Sequence, residues 1–370
     1  MSKAAELANL IGNINAGGGG VNRNVIINGA MNVAQRGTSF NQPNDAYTLD
    51  RFAAYVNGDG KLDVEQSTTV PSGEGFKNSL KCTVDTVDTS LSSSDFGMIG
   101  TKIEGQDLTR FDFGQSTAKQ FVLSFFVRSN ITGTYSVAFR NGSANRYLVK
   151  EYTISSADTW QKITITNLAD NTGTWATDNT TGLDLRWCLW QGGFSASADT
   201  WGAGNIIGSS SNVNWATSTD NNWYITGVQL EVGQNPTEFE HEPFERTLAK
   251  CQRYLQVFGG DSNQVAGWGM TRAANNNFVS FPLVKALRAT PTVSVQGGTV
   301  RFTAEGAQTE GSSNTIVINS VTPSVVYGNN SSNVVTLRYD GDTGPDTTIN
   351  SQTIGFMVND NVEILFESEL

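Results

Sequence analysis

The sequence holds one histidine, His241, and three cysteines, Cys82, Cys188 and Cys251, in 370 residues. One imidazole excludes a His-rich metal site and leaves little room for a His-dependent nucleophile triad. Three widely spaced cysteines form neither a disulfide framework nor a zinc motif, so each is expected as a small core residue in a chain made in a reducing cytosol. Charge is scarce as well. Only 16% of residues are charged, which excludes a coiled coil and a charge-driven disordered chain. Basic residues are the fewer, 24 against 35 acidic, for a formal net charge of −11. Such a surface repels phosphates, so neither nucleic acid nor an anionic lipid surface is expected as a partner. No apolar run reaches the ~18 residues of a membrane span, and Met1 leads into a polar stretch rather than a secretory signal.

What fills the sequence is glycine, 38 residues, with Ser, Thr and Asn. The length suggests about two or three domains. Residues 2–14 read as a short amphipathic helix that Ser2 can cap, with an apolar stripe of Leu7, Leu10, Ile11 and Ile14. A helix this short is marginal alone, and Ala16–Gly20 behind it reads as a flexible linker. From residue 22 the pattern turns to strands: Phe121–Val127, Thr134–Phe139, Tyr147–Ile154, Trp160–Ile165, Leu183–Trp190 and Trp223–Val232. Gly, Asn, Ser and Asp turns between them predict an all-β sandwich or jelly roll. Phe244–Arg253 breaks the pattern as a short helix, with Pro243 at its start and a strand, Tyr254–Phe258, behind it. Strands resume to the end, with an open loop expected across 258–275. The expected division is 1–21 (helix and Gly linker), 22–245 (jelly roll), 246–258 (linking helix and strand) and 259–370 (second β-sandwich).

Seven of the eight tryptophans fall between 160 and 223. Indole rings stack on the C–H faces of sugars and also fill cores. Trp160 and Trp223 sit in apolar strands and are expected inside. Trp187 and Trp190, three apart in one strand, are expected on opposite faces. Trp175, Trp201 and Trp215 lie among Thr, Asn, Gly and Ser, which makes them the glycan-binding candidates. Asp340, Asp342 and Asp346 alternate with turn residues and form a calcium candidate. They lack the distal Glu of a full loop, and a polar hairpin between two strands is the favoured reading. Glu238, Glu240 and Glu242 flank His241, but nothing singles out a carboxyl pair for glycoside chemistry. No catalytic residue and no cofactor is expected.

Residues 22–38, Asn-Arg-Asn-Val-Ile-Ile-Asn-Gly-Ala-Met-Asn-Val-Ala-Gln-Arg-Gly-Thr, resemble the N-x-(L/I)-I-N-G-x-M-x-V-x-Q-R-G opening of many tail-fibre and receptor-binding proteins of tailed bacteriophages. Tyr47–Phe52 matches the segment that follows it. Ile225–Gly233 and Pro236–Phe244 resemble the family's closing segment, followed by Cys251–Tyr254, Phe281-Pro282 and Arg288–Thr292. The likeness spans 22–292 in islands. Regions 60–120, 170–222 and the last ~80 residues carry no matching motif, and loops there are expected to decide what is bound. The resemblance implies a carbohydrate-binding-module-like jelly roll in a virion protein, made in the host bacterial cytoplasm and assembled as a homotrimer. Its implied partners are host surface glycan and, through residues 1–20, other virion proteins. The expected role is non-catalytic adhesion. The alternatives are a structural head-fibre, decoration or baseplate component and a polysaccharide-degrading spike.

Overall fold

A computed structural model describes residues 2–15, 22–166, 168–260, 264–273, 276–296, 300–303, 315–318, 324–327, 334–340, 353–358 and 363–370. The chain divides into two compact units, Met1–Thr247 with Leu370, and Leu248–Glu369. The division falls inside helix α2, defined below.

The first unit opens with helix α1 (Lys3–Asn15). The Ser2 hydroxyl accepts from the Ala5 N–H at 3.3 Å, the cap expected from the sequence. Leu7 and Ile11 are 56% and 49% exposed, and Leu10 is half-buried. The side chain of Ile14 and the Ala16–Gly20 linker lie outside the described residues.

Fourteen strands follow in this unit: β1 (Ser39–Phe40), β2 (Ala46–Tyr47), β3 (Ala53–Asn57), β4 (Lys61–Ser67), β5 (Ser79–Thr86), β6 (Phe96–Glu104), β7 (Phe121–Ser129), β8 (Gly133–Asn141), β9 (Tyr147–Ile154), β10 (Gln161–Ile165), β11 (Thr181–Gln191), β12 (Ser195–Ala196), β13 (Gly208–Ser209) and β14 (Asn222–Val232). One six-stranded sheet runs β1-β4-β5-β14-β7-β10 and the other β2-β3-β6-β11-β8-β9. The chain passes repeatedly from one sheet to the other, at β3–β4, β5–β6, β6–β7, β7–β8 and β9–β10, which makes the unit a jelly-roll sandwich. Period-2 alternation explains the packing. Val137 and Phe139 of β8, Leu183, Leu185 and Trp187 of β11, and Leu123, Phe125 and Val127 of β7 all enter the shared core. None of the three cysteines is in a disulfide, and all three are buried.

Trp187 and Trp190 do not take opposite environments. The β11–β6 register shifts between Cys188 and Trp190, and this bulge brings both rings into the core at 0% exposure. Trp190 lies where a Cβ on Gly97 would come within 2.2 Å of its ring, so only glycine leaves the space.

The opening and closing segments that carry the family resemblance meet each other. Val25 N–H donates to Leu230 O at 3.0 Å. The Glu240 carboxylate accepts from the N–H groups of Asn22 (2.8 Å) and Asn24 (3.0 Å). Asn28, buried and at φ 61°, donates to the Val33 and Asp50 carbonyls and accepts from Val33 N–H. His241 packs between Phe76 and Phe239, at 5.1 and 5.0 Å. These contacts latch the first residues of the unit onto β14 and the segment behind it.

Helix α2 (Phe244–Cys251) follows. The second unit holds a three-stranded sheet of Leu255–Gly259, Glu363–Glu367 and Thr292–Gln296, and a seven-stranded sheet. Phe281 of the larger sheet meets Phe258 and Phe366 of the smaller at 5.6 and 5.1 Å. Residues 264–273 are not the open loop expected from their Gly and Asn content. They form a strand paired on both sides, with Thr353–Val358 and Asn276–Pro282. Asp340 ends the strand Val334–Asp340, and Asp342 and Asp346 lie outside the described residues.

Candidate functional site

The outward face of the second sheet of the jelly roll carries a cluster that the inward pattern hides. Tyr55 of β3 stands opposite Met98 of β6, and Arg186 of β11 stands between Gly100 of β6 and Ala138 of β8. One row further along, Asp184 of β11 is flanked in register by Lys102 of β6 and Arg140 of β8. Alternation puts these residues on the face away from Leu183, Leu185 and Trp187.

Arg186 organises the centre. Its Nε and Nη2 donate to the two Asp184 carboxylate oxygens at 2.8 and 2.9 Å, a two-pronged pair. Its Nη1 faces the Met98 sulfur at 3.6 Å. The guanidinium carbon lies 3.7 Å from the Tyr55 ring centroid, in cation–π contact. A Cβ on Gly100 would come within 3.2 Å of both Tyr55 Cε2 and Arg186 Cδ, so the glycine gives this stack its width. Burial works against the Arg186 charge, but Asp184 outweighs it and holds the pKa above its usual value. Burial, with Tyr47 adding to it, pushes the Tyr55 phenol up, so the ring is neutral in working buffers.

Arg140 differs. It is 6% exposed, its guanidinium lies 3.9 Å from Asp184 Oδ2, and its buried Nε has no hydrogen-bond partner among the described residues. Burial lowers its pKa, with Asp184 opposing. Lys102 is satisfied by the main-chain oxygen of Leu370 at 2.7 Å, within the same unit.

Together these groups floor a cleft of about 430 Å³, within the size range of ligand pockets. Phe96 and Phe194, edge-on at 5.5 Å and both half-buried, make an apolar wall. Phe194 is held there because its carbonyl accepts from Ile207 N–H and Gly208 N–H, which folds the 192–209 loop back over the sheet. Asn44, Asp45, Asn57 and Asn205 line the cleft and are exposed, providing a polar rim.

The tryptophans picked from the sequence lie elsewhere. Trp215 is fully buried, stacked on Trp190 at 6.1 Å, and its N–H donates to Asn222 O at 3.3 Å. Trp175 is 9% exposed and stacks on Phe113 at 4.4 Å, with its N–H on Asp170. Neither offers a ring face, which corrects their assignment as glycan platforms. Their polar neighbours mark loops, but those loops fold back and use the large indoles as core. Trp201 is half-buried, packs edge-on to Trp175 at 5.7 Å, gives its N–H to Ala169 O and lies under the Arg146 guanidinium at 5.5 Å. It too is spent on holding its loop. A recess beside His241 measures about 30 Å³, room for about one water. Among the described residues no group of three or more His, Cys, Asp or Glu side chains is placed to hold a metal ion.

Sequence reasoning missed the cleft residues. The available signal was the interleaving in Leu183-Asp184-Leu185-Arg186-Trp187, which sets two charges on the face opposite three core residues of an otherwise apolar strand.

No family model and no curated protein matches the chain. Solved structures similar to it include the enzymatically active domain of tailspike protein 4 from bacteriophage CBA120, at 11% identity and TM-score 0.31, covering 57% of this chain and 21% of that one. TmCBM61 in complex with β-1,4-galactotriose is similar at 10% identity and TM-score 0.28, over 57% of this chain and 99% of that one. The family 11 carbohydrate-binding module from Clostridium thermocellum, in complex with a β-1,3-1,4-mixed-linked tetrasaccharide, is similar at 10% identity and TM-score 0.27, over 54% and 99%.

Proposed function

We propose that the chain is a non-catalytic, glycan-adhering virion protein of a tailed phage, a tail fibre or receptor-binding protein that works as a homotrimer. The observation that carries this reading is the cleft on the outer face of the jelly roll. The Phe96–Phe194 wall suits the C–H face of a sugar ring, the Asn rim suits hydroxyls, and the Arg186–Asp184 pair is fixed before any ligand arrives. Preorganised donors lose little entropy on binding. Three such clefts on one trimer turn modest affinity into avidity. Both Asp184 oxygens are engaged by Arg186, which favours an orienting role over acid–base chemistry. Residues 1–20 attach the protein to the virion, a role supported by the exposure of Leu7 and Ile11 on α1.

The test is retention of the protein on immobilised host-surface polysaccharide, with reducing ends counted afterwards. Retention without chain shortening is expected, and Phe194→Ala should weaken it about tenfold, the loss of one good apolar contact. No retention would favour a structural virion component, and shortened chains a spike enzyme.

A further inference from the structure

Resting on the glycan-binding reading of the cleft, we infer that its ligand is an anionic glycan, whose acidic group sits on the guanidinium of Arg140 beside Arg186. The argument starts from a buried charge without an answer. A guanidinium that is 94% buried would normally have its N–H groups hydrogen-bonded. The Arg140 side chain makes no hydrogen bond among the described residues; its one ion-pair contact is Asp184 at 3.9 Å, and both oxygens of that carboxylate already accept from the Arg186 fork. Leaving a buried cation in this state is unfavourable. The arrangement becomes favourable once an oxyanion enters, because a guanidinium fork matches a carboxylate or sulfate with two parallel hydrogen bonds. Arg186 adds to it: its Nη1 has only the Met98 thioether, a poor acceptor, so it too can turn a donor toward the ligand.

The surroundings set the sign of selection. The chain carries a net charge of −11, so an acidic polymer is repelled by most of its surface. The cleft floor reverses that locally: Arg140, Arg186 and Lys102 on adjacent strands outnumber the two side-chain carboxylates near them, Asp184 beneath and Asp45 at the rim. A local basic floor on an acidic protein confines an anionic ligand to one place.

The experiment uses the full chain and matched polymers: polygalacturonate against its carboxyl-reduced form, and dextran sulfate against dextran. The expected result is retention of at least one anionic polymer at least tenfold above its neutral counterpart. Arg140→Gln should remove that preference about ten- to hundredfold, the range for a hydrogen bond to a charged group. Arg140→Lys, which keeps the charge without the fork, should retain part of it, with melting temperatures confirming that both variants fold. The preference should also shrink with added salt, as a charge contact does. Equal retention of charged and neutral forms, or an anionic preference untouched by Arg140→Gln, would overturn this inference and leave glycan binding standing. Retention of none of the four would overturn this inference, and the glycan-binding reading falls with it only when host-surface polysaccharide is not retained either.

Discussion

Replacing Trp215 with alanine decides between core and platform for the tryptophan-rich region. The ring is at 0% exposure, stacked on Trp190 and hydrogen-bonded to Asn222 O. Burying an aromatic side chain removes about 150–250 Å² from water, and at about 25 cal/mol per Å² that is about 4–6 kcal/mol. Large-to-small changes at such sites cost about 3–5 kcal/mol, because the cavity collapses only in part. Here collapse is resisted by the Trp190 ring, itself wedged over Gly97. A loss of about 4 kcal/mol shifts the melting temperature of a domain of this size by about 8–16 °C. Scanning calorimetry of the full chain should show one transition move by that amount and the rest of the trace remain in place. Trp201→Ala, at a half-buried site, should move the same transition less. A Trp215→Ala protein that melts within 2 °C of the parent but no longer binds glycan would refute the core assignment.

The Asp170 carboxylate is buried, which disfavours its charge, yet the two-pronged Arg146 pair at 2.8 and 2.6 Å and the Thr172 N–H hold its pKa below the usual value. A depressed carboxylate contributes stability above its unfolded pKa, about 3.9, and loses it as pH falls through the folded value. Asp170→Asn should therefore destabilise the protein by about 1–3 kcal/mol at pH 7, and the gap in melting temperature to the parent should close below about pH 4. Glu240→Ala removes the acceptor of the Asn22 and Asn24 N–H groups and should cost about 1–2 kcal/mol in urea unfolding with an unchanged m-value. A protein starting at Val21 should keep the melting temperature of the jelly roll and its retention on glycan, and should fail to incorporate into phage. Multi-angle light scattering should report three copies; a stable monomer would end the trimer proposal.

The strands found from the sequence are a continuous apolar run, Phe121–Val127, and strands whose two faces differ. Thr134–Phe139 and Leu183–Trp190 announce themselves because every second residue is large and apolar. Strands β4 to β6 were missed because Gly, Lys, Asp and Thr interrupt them, and β3 because it is only five residues long and does not alternate. In the second unit, 264–273 looked like a loop by composition, but a strand paired on both sides tolerates Gly where its neighbours supply the packing. The tryptophans misled for a related reason: local polarity describes the backbone around a residue, not where its ring goes. The cleft needed three strands, β3, β6 and β11, to be laid side by side before Tyr55, Met98 and Arg186 became neighbours.

Because β11 carries Leu185 and Trp187 on one face and Asp184 and Arg186 on the other, sliding it by a single residue would drive two charges inside and two apolar side chains out. The ion row is thus a proofreader of strand pairing as well as a contact surface. The same division separates two kinds of inheritance. Substitutions at Tyr55, Met98, Arg140 or Phe194 would change what the cleft accepts while Ile99, Leu185 and Trp187 go on specifying an unchanged scaffold.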